Sequence, residues 1–184
     1  MSTALIVILV ILILLVGWVV GVYNGLIQAR NKVKDQWAQI DVQLKRRFDL
    51  IPNLVETVKG YASHEKTTLE DVIKARNTYV SATTPEDQMK ADGELTQAIS
   101  KLFALSEAYP DLKANTNFQE LQKELTETED KIQYARQFYN DEVMKYNNKV
   151  QMVPSNIVAG IFGFKTEAFF EANEKERENV EVKF

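Results

Sequence analysis

The chain has no cysteine and only one histidine, His64, among its 184 residues. The absence of cysteine excludes disulfides but does not identify a compartment. One histidine cannot supply a His/Cys zinc site, nor the two Glu-x-x-His motifs of a metal centre in a helical bundle. Because His64 has polar neighbours, we expect it to be exposed rather than to act as a catalytic base. The sequence therefore predicts no catalytic residue, no metal site and no cofactor.

Glycine and proline are also scarce, with 7 and 4 residues in the whole chain. So few breakers predict long, uninterrupted elements, and the glycines form neither a Walker loop nor a dinucleotide-binding loop. The 22 Lys and Arg residues are outnumbered by 26 Asp and Glu residues, and they form no basic stripe. This mild acidity argues against nucleic acid as a partner. We expect neither an enzyme nor a nucleic-acid-binding protein.

What the chain does have is a run without a polar side chain, from residue 4 to residue 22. Crossing the hydrocarbon core of a bilayer as a helix takes about 20 such residues. A secretory signal would add a basic start and a small-residue cleavage site, and neither is present. Trp18 and Tyr23 lie near the end of the run, where amphipathic rings favour the headgroup layer. We predict a permanent transmembrane anchor over residues 1–25, with residues 4–22 in contact with lipid.

The orientation of this anchor can be predicted from the basic residues beside it. Arg30, Lys32 and Lys34 follow the run, and no Lys or Arg precedes it. Cytoplasmic flanks carry an excess of Lys and Arg. The sequence thus predicts a single-pass protein of the bacterial cell membrane, with its N-terminus outside and its main domain in the cytoplasm.

Three glycines in and after the run, Gly17, Gly21 and Gly25, recur at four-residue steps. They share one helix face and form two overlapping Gly-x-x-x-Gly motifs, which allow two membrane helices to approach closely. Glycine is also common in membrane helices in general. A homo-oligomer formed through this face is an expectation that the pattern alone leaves open.

Beyond the anchor, apolar residues recur every three or four positions, as on one face of a helix. Pro52 is expected to break or kink the first helix, since its ring removes a helical hydrogen bond. A long helix is then expected over residues 54–80. The alternative is a separate helix that begins with Thr67 and Glu70 as a capping box.

Two later helix starts are marked by capping residues. Thr84 suits the N-cap of a helix that runs to about Glu107. Asn115 or Thr116 begins the last long helix, whose apolar positions approach the heptad seam of a coiled coil and which stops before Pro154.

Together these patterns predict an all-α protein, in which an N-terminal transmembrane helix is followed by an antiparallel bundle of three to four long helices. The bundle is expected over residues 26–172 and a flexible tail over residues 173–184.

The segment 154–172 is unusually apolar. We expect it to fold back on the bundle, because it lacks the Lys-rich polar face of a lipid-bound helix. The alternative is that it lies on the membrane as a second lipid contact.

One polar cluster surrounds the expected break in the first helix and contains Arg46, Arg47, Asp49, Pro52 and Asn53. Such charges form either a buried ion network or a docking surface. The alternative is a solvated helix face, with Asp49 or Asn53 capping the restarted helix.

A second cluster pairs Tyr139 and Asn140 with Tyr146 and Asn147, seven residues later and hence on one helix face. Buried tyrosine and asparagine normally pack in a core, with an amide or hydroxyl hydrogen-bonded across helices. This is the role that we expect here. The alternative is a ligand site, which no further residue indicates.

Several of these segments resemble the LemA family of bacterial proteins. The similarity spans roughly residues 20–165 and is most specific in the run through Pro52. The matching segments are residues 23–26, 41–47, 49–55, 58–61, 109–114 (with Asp111), 117–118 with 121–122, 128–129, 135–136 and 139–140. The resemblance implies an N-terminal membrane span, an antiparallel helical bundle, no established enzymatic activity and roles in membrane-associated organisation, including magnetosome formation in one branch.

The expected function is that of a membrane-anchored helical scaffold or adaptor, which acts by protein–protein contact with partners that the sequence does not identify. Two alternatives stay open. One is a membrane-remodelling or lipid-binding protein that uses residues 154–172. The other is an enzyme or ligand-responsive regulator that uses Arg46, Arg47 and Asp49.

Overall fold

A computed structural model describes residues 3–170, in which the regular secondary structure is helical and no strand is present. The helices are α1 (Thr3–Lys59), α2 (Lys66–Ser81), α3 (Pro85–Ser106), α4 (Pro110–Lys113), α5 (Thr116–Gln151) and α6 (Ser155–Ile161). The predicted all-α chain, with an apolar N-terminal helix followed by an antiparallel helical bundle, is confirmed. The predicted tail over residues 173–184 lies outside the described residues, and the domain boundaries at residues 25 and 172 stay predictions.

The described residues form two compact units, and helices α1 and α5 each contribute to both. The first unit consists of residues 3–37 and 137–169, and the second of residues 38–136 together with Phe170.

In the first unit, α1 changes character along its length. The side chains of residues 5–16 are all 47–67% exposed, whereas Leu26 is fully buried and Ala29 and Val33 nearly so. A helix that is apolar on every side suits lipid, and one with a single apolar face suits a protein core. Among the described residues, α1 is the one helix long and apolar enough to cross a membrane by length and composition.

The rest of the first unit packs on this amphipathic part of α1. Tyr139, Val143 and Tyr146 of α5 are buried, as are Val158 and Ala159 of α6. The extended segment after α6 buries Phe164, whose ring lies 5.6 Å from that of Tyr23.

The second unit is a bundle of α2, α3 and the parts of α1 and α5 within residues 38–136. Each helix buries one apolar stripe at helical spacing. The largest fully buried side chains here are Ile40, Leu44, Ile51, Leu54, Val58, Leu95, Leu102, Leu112, Phe118 and Ile132.

Helix α1 continues through Pro52, so the predicted break is wrong, whereas a kink at this residue stays a prediction. A proline leaves the carbonyl four residues earlier without its helical donor, and here that carbonyl belongs to Phe48. Arg76 of α2 donates its Nε–H to this oxygen at 3.3 Å. Burial of Ile51 and Leu54 on either side of Pro52 holds the helix in the core. A donor from another helix thus replaces the hydrogen bond that the sequence alone shows as lost.

The predicted long helix over residues 54–80 is wrong, because α1 ends at Lys59 and α2 begins at Lys66. Gly60 favours the stop, since glycine has low helix propensity. Burial of Ala62 then holds the turn against the core. The alternative capping box is also wrong, because Thr67 lies inside α2 and that helix begins without a side-chain cap.

The other two helix starts follow the capping chemistry of the sequence. The Thr84 hydroxyl accepts the backbone N–H of Asp87 at 3.1 Å, which confirms it as the N-cap of α3. At the start of α5, Asn115 Oδ1 accepts the backbone N–H of Phe118 at 3.0 Å. Asn115 is therefore the cap, and Thr116 is the first helical residue.

Candidate interaction sites

A buried ion network joins three helices of the second unit. Arg47 Nη1 of α1 lies 2.8 Å from Asp92 Oδ1 of α3 and 2.7 Å from Glu129 Oε2 of α5. The second carboxylate oxygen of Asp92 accepts a hydrogen bond from Arg136 of α5. Asp92 is fully buried, and Arg47 and Arg136 are 3% and 8% exposed. One carboxylate thus bridges two arginines in the core.

Two further contacts complete this network. Arg47 Nη1 also donates to Thr96 Oγ1 at 3.1 Å. The guanidinium of Arg136 lies over the ring of Phe170, 4.3 Å from its centroid, in cation–π geometry. Two arginines and two carboxylates balance in charge, so the network is self-neutralised. Its chemistry is that of an internal clamp between α1, α3 and α5.

The remaining residues of the first predicted cluster are not gathered into this network. Arg46, Asp49, Pro52 and Asn53 are all exposed. Arg46 Nη2 comes only to 4.0 Å from Glu124 Oε2, a surface pair of little energetic weight. The structure therefore separates Arg47 from its sequence neighbours and faces it into the core.

The partners of Arg47 were not predicted from the sequence. Asp92 carried a usable signal, because it lies on the apolar stripe of α3, three residues before the buried Leu95. Arg136 likewise follows the buried Ile132 by four residues on α5. A charged residue on a buried stripe indicates a partner of opposite charge in the same core.

Asp111 is exposed in the first turn of the short helix α4. The single histidine, His64, is exposed in the turn between α1 and α2. Over residues 3–170, no group of three or more His, Cys, Asp or Glu side chains could hold a metal ion.

In the first unit, side chains of α5 hold the segment 164–169, hereafter the strap. The Tyr146 hydroxyl donates to the carbonyl of Lys165 at 2.8 Å, and the Tyr139 hydroxyl donates to that of Ala168 at 3.0 Å. Asn147 makes two bonds to Glu167, one to its carbonyl and one from its N–H, each at 2.9 Å. The buried tyrosine and asparagine face of α5 thus grips an extended backbone rather than another helix.

The two tyrosines of this face differ in their other neighbours. The ring of Tyr139 meets Trp37 edge-on at 5.6 Å. Burial raises the pKa of the Tyr146 hydroxyl, the nearby Glu167 carboxylate adds to that rise, and Arg30 opposes it. Asn140, the remaining member of the predicted cluster, is half-buried on α5.

A third tyrosine is buried in the second unit. The Tyr79 hydroxyl donates to Asp41 Oδ1 at 3.3 Å, and its ring stacks on Phe48 at 3.8 Å between centroids. Burial raises the pKa of Tyr79 well above its usual value, and the negative charge of Asp41 reinforces the rise.

The glycine face of α1 is only partly covered in the first unit. A Cβ at Gly17 or Gly21 would meet nothing within 4 Å, whereas one at Gly25 would lie 3.7 Å from Lys149 Nζ. A groove of about 360 Å³ runs along this face. It is lined by Trp18, Gly21, Val22, Gly25, Leu26, Lys149 and Ser155.

Comparison with known proteins confirms the resemblance to the LemA family. The profile of the LemA family matches residues 36–184. The chain is 28% identical over 167 residues to Protein LemA of Metamycoplasma hominis, covering 89% of this chain and 75% of that protein. It is 25% identical over 175 residues to Magnetosome protein MamQ 2 of Paramagnetospirillum magneticum, covering 81% of this chain and 64% of that protein.

A further relative is Magnetosome protein MamQ of Magnetospirillum gryphiswaldense. It is 24% identical to this chain over 174 residues, which cover 80% of this chain and 64% of that protein. The chain thus spans less than two thirds of the length of these magnetosome proteins. The names of the family and of these relatives describe no chemical reaction.

Proposed function

This chain belongs to the LemA family, and we propose that it is a single-pass, membrane-anchored helical scaffold that works by contact rather than by catalysis. In general terms, it is a membrane-associated helical protein. The observation that carries the proposal is that α1 is unbroken from Thr3 to Lys59.

The continuity of α1 matters because three kinds of environment follow one another along a single helix. Residues 5–16 are exposed and apolar, Leu26 is in the core of the first unit, and Ile40 and Leu44 are in the core of the second. A protein partner bound to the helices after the anchor is therefore tethered to the bilayer without an intervening loop in α1. Positioning partners at a membrane is what a scaffold of this kind does.

We assign the part of the chain after residue 25, including the rest of α1, to the cytoplasm. Arg30, Lys32 and Lys34 follow the apolar run directly, and Lys and Arg in this position favour the cytoplasmic side. The chain has no cysteine, so a single cysteine at Lys66 would report on one side only. Labelling of intact cells by a membrane-impermeant maleimide should fail, and labelling after lysis should succeed. Labelling of intact cells would reverse the assignment.

The open part of the glycine face supports self-association as one mode of contact. Gly17 and Gly21 have space for a second helix, and Lys149 limits approach at Gly25. Replacing both Gly17 and Gly21 with isoleucine should abolish a cross-linked dimer in native membranes. Leu12→Phe adds bulk on the opposite face, roughly 180° away at 100° per residue, and should leave the dimer intact. Equal dimer yields in all three chains would remove this mode.

The scaffold role itself is tested by cross-linking in living cells, with an affinity tag on the C-terminus. The control chain keeps residues 26–184 but carries an unrelated transmembrane helix in place of residues 4–22. Partners held by the helices after the anchor should be recovered with both chains, and partners held by the span only with the native chain. A chain recovered as a monomer with no co-purifying protein would contradict the scaffold.

A further inference from the structure

The chain has an uncharged segment that lies well after the anchor. From Val150 to Phe164 there is no charged residue, and Lys149 and Lys165 border the segment. It contains the end of α5, the turn after it and the whole of α6. We call residues 152–162 the elbow.

The elbow turns apolar side chains both inward and outward. Val158 and Ala159 are each 1% exposed and pack in the first unit. On the other side, five large apolar residues are between 52% and 77% exposed, namely Met152, Val153, Ile157, Ile161 and Phe162. Ile157 and Ile161 are four residues apart and share a face of α6. A short helix that is apolar on its outer face is unsuited to water.

Contacts within the first unit place the elbow at the end of the apolar run. The ring of Phe162 lies 4.8 Å from that of Tyr23, which directly follows residues 4–22. Lys149 Nζ donates to the carbonyl of Gly25 at 3.2 Å. Ser155 and Trp18 line the same groove. Phe162 and Ser155 of the elbow thus lie beside the residues of α1 at which the apolar run ends.

We propose that the elbow is a second membrane contact, which inserts into the interfacial layer of the bilayer beside the exit of the span. Its apolar side chains reach the level of the acyl chains next to the headgroups. Lys149 and Lys165 face anionic phosphate headgroups. This inference rests on the proposed anchoring of residues 4–22, and it predicts that the first unit is held against the membrane at two points.

Two observations favour lipid over a protein as the occupant. The first is continuity, because Phe162 and Ser155 of the elbow adjoin the end of the apolar run of α1, and residues 5–16 of that run are exposed on every side. The second is charge, because residues 3–37 and 137–169 contain six Lys and Arg against four Asp and Glu. An apolar surface bordered by basic residues suits the anionic interface of a bilayer.

The test uses the full-length chain, in which the absence of cysteine allows single-site labelling. A cysteine at Val153 or at Ile161 carries a fluorophore, and the chain is reconstituted into vesicles of phosphatidylcholine with phosphatidylglycerol. Spin-labelled lipids with the label near the headgroup then quench fluorophores at that depth. Both positions are exposed, so their replacement is not expected to disturb the core.

Two further labelled positions serve as controls. Val80, in the second unit, is 65% exposed and is a reference for water. Leu12, in the middle of the apolar run, reports on the anchor through lipids that are spin-labelled at the bilayer centre. We expect quenching at Val153 and Ile161 to be several-fold greater than at Val80, and quenching at Leu12 to be strongest with the deep label.

The outcomes separate the elbow from the anchor. Strong quenching at Leu12, combined with quenching at Val153 and Ile161 no greater than that at Val80, would overturn the elbow contact and leave the anchor intact. No quenching at Leu12 would overturn both. A fluorophore at Ile161 that is shielded from water but not quenched by any lipid label would show that a protein covers the elbow, against the proposal.

The headgroup part of the proposal has its own arm. In vesicles with phosphatidylglycerol at low salt, the double replacement of Lys149 and Lys165 by glutamine should reduce quenching at Ile161 several-fold. In vesicles of phosphatidylcholine alone, the same replacement should have little effect. Equal effects in the two kinds of vesicle would contradict recognition of anionic headgroups.

Discussion

Each of the two units of the chain is stabilised internally by a different kind of polar contact. In the second unit, buried charges of α1, α3 and α5 meet at Asp92. In the first unit, the neutral side chains of Tyr139, Tyr146 and Asn147 bind the backbone of the strap. The unit with a charged core is the one without the span, whereas the unit with the span exposes apolar surface and holds its strap with neutral side chains.

The two kinds of contact suit different surroundings. A buried ion network requires desolvation of every charge, which is tolerable only when each charge has a close partner. It holds three helices in one register, because a shift of any of them leaves a charge alone. Neutral bonds to a backbone carbonyl need no such matching, and they suit a strap whose own carbonyls have no helical or sheet partner.

Removal of the central charge is expected to have the largest effect. Asp92→Ala leaves Arg47 and Arg136 buried without their shared carboxylate, so we expect the free energy of unfolding to fall by about 3–5 kcal/mol. Urea unfolding of the full chain in detergent micelles, followed by circular dichroism, measures the loss. Asp92→Asn keeps one oxygen as an acceptor and should lose less.

The matched control is Glu94→Ala, two residues further along α3 on an exposed position. A surface change of this kind is expected to alter stability by no more than about 0.5 kcal/mol. If Asp92→Ala costs no more than Glu94→Ala, the network does not hold the second unit together.

The neutral contacts of the first unit should be weaker. Asn147→Ala removes both bonds to the backbone of the half-buried Glu167, at an expected cost of about 2 kcal/mol for the two bonds together. The control is Asn148→Ala, since Asn148 is the next residue of α5 and is exposed. A loss as large as that of Asp92→Ala would erase the contrast between the two units.

The sequence supported the fold and some local details better than it supported these contacts. Periodicity and capping residues predicted the helical bundle and the starts at Thr84 and Asn115, because those signals depend on a few neighbouring residues. Arg47 and Asp92 are 45 positions apart, and Tyr146 and Lys165 of the strap are 19 positions apart. Which residues meet over such distances depends on how the helices pack.

Pro52 is the clearest case in which local reasoning failed, and it allows a test of coupling between helices. Arg76→Met deprives the carbonyl of Phe48 of its donor, whereas Pro52→Ala restores the helical N–H that this carbonyl lacks. The Arg76 change should therefore cost about 1 kcal/mol more with Pro52 present than with alanine at that position. A double-mutant cycle by urea unfolding measures the difference, and strict additivity would mean that Arg76 does not compensate for Pro52.

The smallest effect at neutral pH is expected at Tyr79, whose bond to the exposed Asp41 is long, at 3.3 Å. We expect Tyr79→Phe to cost less than about 1 kcal/mol at pH 7. Because the folded-state pKa of Tyr79 is raised, the unfolded chain loses this proton first. The stability that the protonated Tyr79 hydroxyl contributes is therefore complete below the usual tyrosine pKa of about 10, and it is lost as the pH rises beyond that value.

Above pH 10, the free energy of unfolding of Tyr79→Phe should consequently rise relative to that of the native chain by up to about 1.4 kcal/mol per pH unit. Tyr146→Phe in the first unit should share this alkaline trend, since burial raises that pKa as well. It should differ at pH 7, with a loss of about 1 kcal/mol, because the carbonyl of Lys165 loses a donor at 2.8 Å. Urea unfolding at pH 7, 9 and 11 compares the two variants. A larger loss at pH 7 for Tyr79→Phe than for Tyr146→Phe would mean that the carboxylate contact outweighs the bond to the strap.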